Sequence, residues 1–154
     1  MSLEFSGTQT MSVPIEKVWA YLLNVNKVAA CAPGFQSLQE TGHERWQAVV
    51  SAAVGPMKAK FTIDLTRSEM QPPERMVVKG RANAPGTTVE MSGDMRLTAL
   101  TPDSTRMDWR ASVELGGALA NVGGPMVRGT MEKLTAQFFE CLKKSVQAAY
   151  GKWS

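Results

Sequence analysis

Few residues of this 154-residue chain combine a reactive side chain with a spacing that would let it act. There is one histidine, His43, in the turn-like stretch ETGHER, where a solvated surface position is expected. No cysteine or histidine cluster has metal-ligand spacing, and there is no G-x-S-x-G and no phosphate-cradling glycine loop. Carboxylates do occur in strand-like stretches. There Glu90, Asp94, Asp108 and Glu114 alternate with apolar residues and fall on the opposite, wet face. General acid–base catalysis needs a titratable group within hydrogen-bond reach of the substrate. The strands place none on their apolar face, so no catalytic residue and no metal ligand is assigned. Loop residues remain the one other source of such a group.

What the apolar face does hold is methionine, of which the chain has ten. Met57, Met76, Met91, Met95, Met107, Met126 and Met131 read as inward, together with Phe61 and Trp109. These side chains either fill a core or line a cavity. Cores that specify one packing favour Leu, Ile and Val over Met, whereas a methionine wall suits a flexible apolar guest. The candidate ligand-contacting set is therefore Phe35, Met57, Phe61, Met76, Met91, Met95, Met107, Trp109, Leu119, Val122 and Met126.

The elements that must position this set are legible from periodicity. LEFSGTQTMSV alternates as a strand. In PIEKVWAYLLN, Ile15, Val18, Trp19 and Leu22 recur at helical spacing, with Pro14 suited to the first turn. VNKVAACAPG reads as a second, short helix ended by Pro33-Gly34. A short strand around FQSLQE follows, then RWQAVVSAAV, MKAKFTIDLT, RMVVKGRA, TVEMSGDMRLTAL and TRMDWRASVEL, each with one apolar and one polar face. That alternation is the mark of an antiparallel sheet with one wet side. Residues from Gly124 or Pro125 to Tyr150 carry a helical apolar stripe through Met126 or Val127, then Met131, Leu134, Phe138, Cys141, Leu142, Val146 and Ala149. A curved sheet must bury its concave face, and this last helix is the only element long enough to cover it. A gap between the two would be a pocket. The expected fold is α+β, one domain over residues 1–154.

Between the last strand and the long helix lies VELGGALANVGGPMVRGT, with Gly116-Gly117 and Gly123-Gly124 flanking ALANV. Glycine permits a sharp change of direction on both sides of the apolar segment. This is either a bent helix start packed through small residues or a hinged gate at the cavity mouth, in which Leu119 and Val122 would face the ligand.

Taken together, FSGTQTMSVPIEKVWAYLLN, VAACAPGFQSL, VGPMKAKFTIDL and LGGALANVGGPMVRGTMEKLTAQFFECLK resemble the CoxG-like family, named for a component of aerobic carbon monoxide dehydrogenase. That family lies within the START-like and Bet v 1-like helix-grip (SRPBCC) domains. The resemblance spans essentially the whole chain, and AACAPG at Ala29–Gly34 and the glycine-flanked entry into FFECL are its more specific parts. It implies a helix-grip fold with a curved sheet of about six to seven strands on a long C-terminal helix. It further implies an accessory, non-catalytic role beside a molybdenum hydroxylase of the carbon monoxide dehydrogenase type, handling a quinone-like electron acceptor or recruiting the hydroxylase to the membrane. Some members carry a long C-terminal tail proposed to reach the membrane. This chain stops at YGKWS, so any membrane contact is expected to be peripheral.

Composition narrows the remaining classes. A net charge of +3 is too mild to imply nucleic acid, and no apolar run approaches the roughly 20 residues of a membrane span. The start MSLEFSGTQT has no signal-peptide pattern, which points to the cytoplasm, at most peripheral to the inner membrane face. Cys31 and Cys141 are then expected as free thiols in a reducing compartment. Cys31 reads as a small buried residue or as part of the cavity mouth, with only Lys27 near enough in sequence to activate it. Tyr150 and Trp153 beside Lys152 give the C-terminus an interfacial look, although charged outer faces are usually just solvated. Three readings compete: a carrier of a hydrophobic molecule such as a quinone or lipid, a docking module for the hydroxylase without a ligand, and an enzyme of the polyketide cyclase or dehydratase type.

Overall fold

A computed structural model of the chain describes residues 2–54, 57–117 and 124–150. Ten elements follow in order: β1 (Ser2–Met11), α1 (Ile15–Leu23), α2 (Val25–Ala29), β2 (Phe35–Gly42), β3 (Arg45–Val54), β4 (Met57–Gln71), β5 (Arg75–Ala84), β6 (Thr87–Thr101), β7 (Ser104–Gly117) and α3 (Gly124–Tyr150). The seven strands form one antiparallel sheet in the order β1-β7-β6-β5-β4-β3-β2. From β2 to β7 the chain is thus a meander of neighbouring strands, and β1 closes on β7 from the far end.

Local chemistry explains the punctuation. Pro14 sits one residue ahead of α1 as its N-cap rather than inside its first turn. Asn24 ends α1 and starts α2, its side chain accepting from the Lys27 N–H at 3.3 Å. Gly34, at φ 77°, turns α2 into β2 against the Ser51 carbonyl, which a Cβ at this position would strike. Pro72-Pro73 carries the turn from β4 to β5. The buried Thr105 hydroxyl donates to the Val13 carbonyl at 2.7 Å and ties the start of β7 to the link between β1 and α1.

The concave face and the helices enclose two packed clusters. One gathers Met11, Val18, Trp19, Leu22, Met107, Leu142 and Val146, joining α1, α3 and one end of the sheet. The other gathers Leu3, Phe5, Val50, Phe61, Val113, Leu115 and Val127 at the other end. Trp109 packs against both. Its ring stacks on Phe139 at 4.1 Å between centroids, with planes 7° apart. The same indole lies flat on Gly7, so closely that a Cβ there would come within 2.5–2.9 Å of three ring atoms. This stack fastens α3 to the sheet.

The cysteines overturn an expectation. Cys31, just after α2, and Cys141, on α3, form a disulfide, with Cα atoms 5.5 Å apart across 110 residues of sequence. They are not two free thiols. Periodicity shows which face of a helix is buried but not which residues of distant elements meet across it, so the pairing was not visible. It also removes the thiols as support for a reducing compartment.

Candidate ligand-binding cavity

Between the sheet, α2 and α3 a cavity of about 360 Å³ remains. At about 30 Å³ per water molecule, that is the volume of roughly a dozen waters. It lies at the lower end of the usual range for small-molecule sites, about 300–1,000 Å³.

The cavity exists because side chains on the sheet are short where the helix stands off. Ala48 and Ala52 of β3, Gly80 and Ala82 of β5, Gly93 of β6 and Ala111 of β7 all line it. Gly93 is the clearest case. It falls between Met91 and Met95 on the inward face, and a Cβ placed there would meet nothing within 4 Å. Larger side chains form the walls: Phe61, Ile63 and Leu65 on β4, Met76 and Val78 on β5, Met131, Leu134, Phe138 and Phe139 on α3. Val25, Val28, Ala29, Ala32, Pro33 and Phe35 close the side formed by α2 and its following loop.

One charged side chain reaches the wall among the described residues, and it is paired. Arg67 continues the inward alternation of β4 past Leu65. Its side chain is only 10% exposed. Nε donates to Glu44 Oε2 at 2.6 Å and Nη2 to Glu44 Oε1 at 3.1 Å, while Nη1 donates to the Leu23 carbonyl at 2.8 Å. The guanidinium also lies over the Trp46 ring, 4.6 Å from its centroid. The hydrogen bond from Arg67 holds the Glu44 carboxyl below the ordinary glutamate range. The Thr135 hydroxyl on the wall is committed to the Met131 carbonyl at 2.7 Å. A dozen waters would find few partners on such a surface, which favours an apolar occupant.

The strand carboxylates lie outside. Glu90 faces Arg81 at 3.9 Å, Asp94 pairs with Arg75 at 2.9 Å, Asp108 accepts from Thr8 at 2.7 Å, and Glu114 accepts from Ser2. Hydrogen bonds from Arg75 and Thr8 hold Asp94 and Asp108 below the ordinary aspartate range. A second depression of about 490 Å³, lined by Ser6, Thr8, Asp94, Arg96, Asp108 and Arg110, opens on this convex face. Gly7 and Trp109 also line it, its carboxylates are engaged with neighbours across the strands, and its lining is mainly polar. His43 is exposed in the turn between β2 and β3. Among the described residues no group of three His, Cys, Asp or Glu could hold a metal ion.

The residues expected to contact a ligand therefore divide. Phe35, Phe61, Met76, Met91 and Met95 are on the cavity wall. Met107 is fully buried in the cluster between α1 and α3, away from the cavity. Trp109 stands behind the wall, stacked on Phe139. Met126 is 53% exposed, because the buried face of α3 begins at Val127 instead. Leu119, Val122 and the proposed gate lie outside the described residues, as does the side chain of Met57. Arg67, Phe139 and the glycine–alanine floor were not singled out from sequence. Extending the period-two pattern of β4 by one step would have found Arg67.

Fold and cavity together define a helix-grip protein with an apolar cavity between its sheet and its helices. Solved structures of low sequence identity share the architecture. A conserved protein from Geobacillus kaustophilus is 22% identical with a TM-score of 0.86, covering 96% of this chain and 97% of that one. A START superfamily protein from Mycobacterium smegmatis is 14% identical at a TM-score of 0.71, covering 95% and 98%. The Zhui aromatase/cyclase from Streptomyces sp. R1128 is 18% identical at 0.68, covering 96% and 94%. At these identities the likeness is one of fold. Among curated proteins none is similar enough to count as a relative. The chain belongs to the carbon monoxide dehydrogenase CoxG family, whose model matches residues 7–147.

Proposed function

We propose that this chain is a non-catalytic accessory protein that holds a hydrophobic small molecule, quinone-like or lipid-like, between its sheet and α3. We further propose that it serves a molybdenum hydroxylase of the carbon monoxide dehydrogenase type. The observation that carries the first part is the apolar cavity, whose one charged wall residue among the described residues, Arg67, is already paired with Glu44. Covering 200–300 Å² of ligand surface there is worth roughly 5–8 kcal/mol before the cost of association. No charged contact is needed for binding at that level. The wall offers no unpaired acid or base among the described residues, which speaks against a cyclase-type reaction despite the shared fold. The family name supports the partner. No described helix is long and apolar enough to cross a membrane, so ligand exchange at a membrane surface would be peripheral and transient.

The test is native mass spectrometry of protein purified gently from its own host, followed by organic extraction and identification of what came along. A stoichiometric neutral lipid or quinone supports the carrier. An empty protein that also fails to take up quinone analogues contradicts it and leaves a docking module.

A further inference from the structure

The Arg67–Glu44 pair does more than neutralise a buried charge. Arg67 joins three elements at one end of the cavity: β4 through its backbone, α1 through the Leu23 carbonyl, and the turn between β2 and β3 through Glu44. The Arg67 backbone N–H also donates to the Glu44 carbonyl at 3.2 Å, so the two residues are fixed to each other twice. A guanidinium carries five N–H donors. Three are used, by Glu44 twice and Leu23 once. Among the described residues one N–H on each terminal nitrogen is left without a partner, on the one wall side chain there that bears a charge.

We infer that Arg67 is the head-group subsite of the cavity, and that its pairing with Glu44 selects a neutral ligand. The ligand class is an apolar body with an uncharged acceptor oxygen, such as a carbonyl, at the end that meets Arg67. This rests on the reading of the cavity as a ligand site. A hydrogen bond from a guanidinium in a water-poor wall is stronger than one between neutral groups. A carbonyl accepts it with no charge to balance. A carboxylate or phosphate meets a different situation, because Glu44 already balances Arg67. It must displace Glu44 from its two hydrogen bonds or sit beside a second negative charge. Fatty acids are thereby disfavoured although their chains match the wall.

The experiment uses the full chain freed of bound lipid and displacement of the neutral dye Nile red by three probes. These are 2-methyl-1,4-naphthoquinone, the carbonyl-free 2-methylnaphthalene and the anionic decanoate. The wild type is expected to bind the quinone about tenfold more tightly than the hydrocarbon and to bind decanoate weakest. Arg67→Met should lose that tenfold and keep the hydrocarbon's affinity, which also shows that the variant is folded. Glu44→Gln should gain decanoate and keep the quinone. A wild type that binds quinone and hydrocarbon alike, or decanoate as well as quinone, overturns the head-group assignment while leaving the cavity reading intact. Should Arg67→Met fail to fold, Glu44→Gln decides: decanoate gained with the quinone kept supports the assignment, and no gain overturns it. Failure of Nile red and all three probes to bind overturns the cavity reading itself.

Discussion

At the scale of single residues, the site depends on what is small as much as on what is apolar. Gly93 leaves its space open between two methionines, and six alanine or glycine positions from four strands form the floor. The methionine pattern was legible in the sequence because inward alternation is clear on β6 and, though weaker, present on β5, and Met76, Met91 and Met95 lie where it put them. Met107 and Met126 obeyed the same kind of pattern and ended elsewhere. Periodicity gives a face, and a face runs past the cavity into solid core at one end and solvent at the other. The Glu44–Arg67 pair allows a prediction with a definite sign. The folded-state carboxyl of Glu44 titrates below its ordinary value, chiefly through the Arg67 hydrogen bond. Its contribution is therefore complete above the unfolded-state range, roughly pH 4.3, and is lost as pH falls through the folded value. Urea midpoints of wild type and Glu44→Gln should differ at pH 7 and converge as the pH falls below the folded-state titration of Glu44. A constant difference across that range would show that the pair is not what Glu44 contributes.

At the scale of elements, the strands and helices were readable and their cross-links were not. The boundaries of α3 and the meander follow from period and turn chemistry alone. The Trp109–Phe139 stack and the Cys31–Cys141 disulfide join residues that no local pattern relates. Both hold α3 against a cavity that packing cannot fill. The disulfide ties α3 to the loop after α2, and Ala32, Pro33 and Phe35 of that loop are cavity wall. A bond closing a loop of this length is worth up to about 4.7 kcal/mol in the chain-entropy account. Thermal unfolding with and without dithiothreitol should therefore show a lower melting temperature on reduction. Cys141→Ser should start at that lower value and ignore the reductant. Equal melting of the wild type in both conditions would mean that the cysteines are not paired in solution.

At the scale of the whole molecule, the fold class followed from the order of elements: strand, two short helices, meander, long helix. An antiparallel sheet with one dry face needs a cover, and only α3 could supply it. The existence of a gap beneath that cover was an expectation from the same reasoning, whereas its shape depended on which inward positions happen to be glycine or alanine. The family name carries an association with carbon monoxide dehydrogenase, and the cavity is where the proposed ligand would sit. The most direct measurement is a side-by-side titration of wild type and Gly93→Phe with Nile red, together with their melting curves. The Phe ring would enter space that a Cβ at this position finds empty. Saturable one-to-one binding by the wild type, lost in Gly93→Phe at a similar melting temperature, is the predicted result. Equal binding by both proteins, or none by the wild type, would contradict the claim that this protein carries its ligand between sheet and helix.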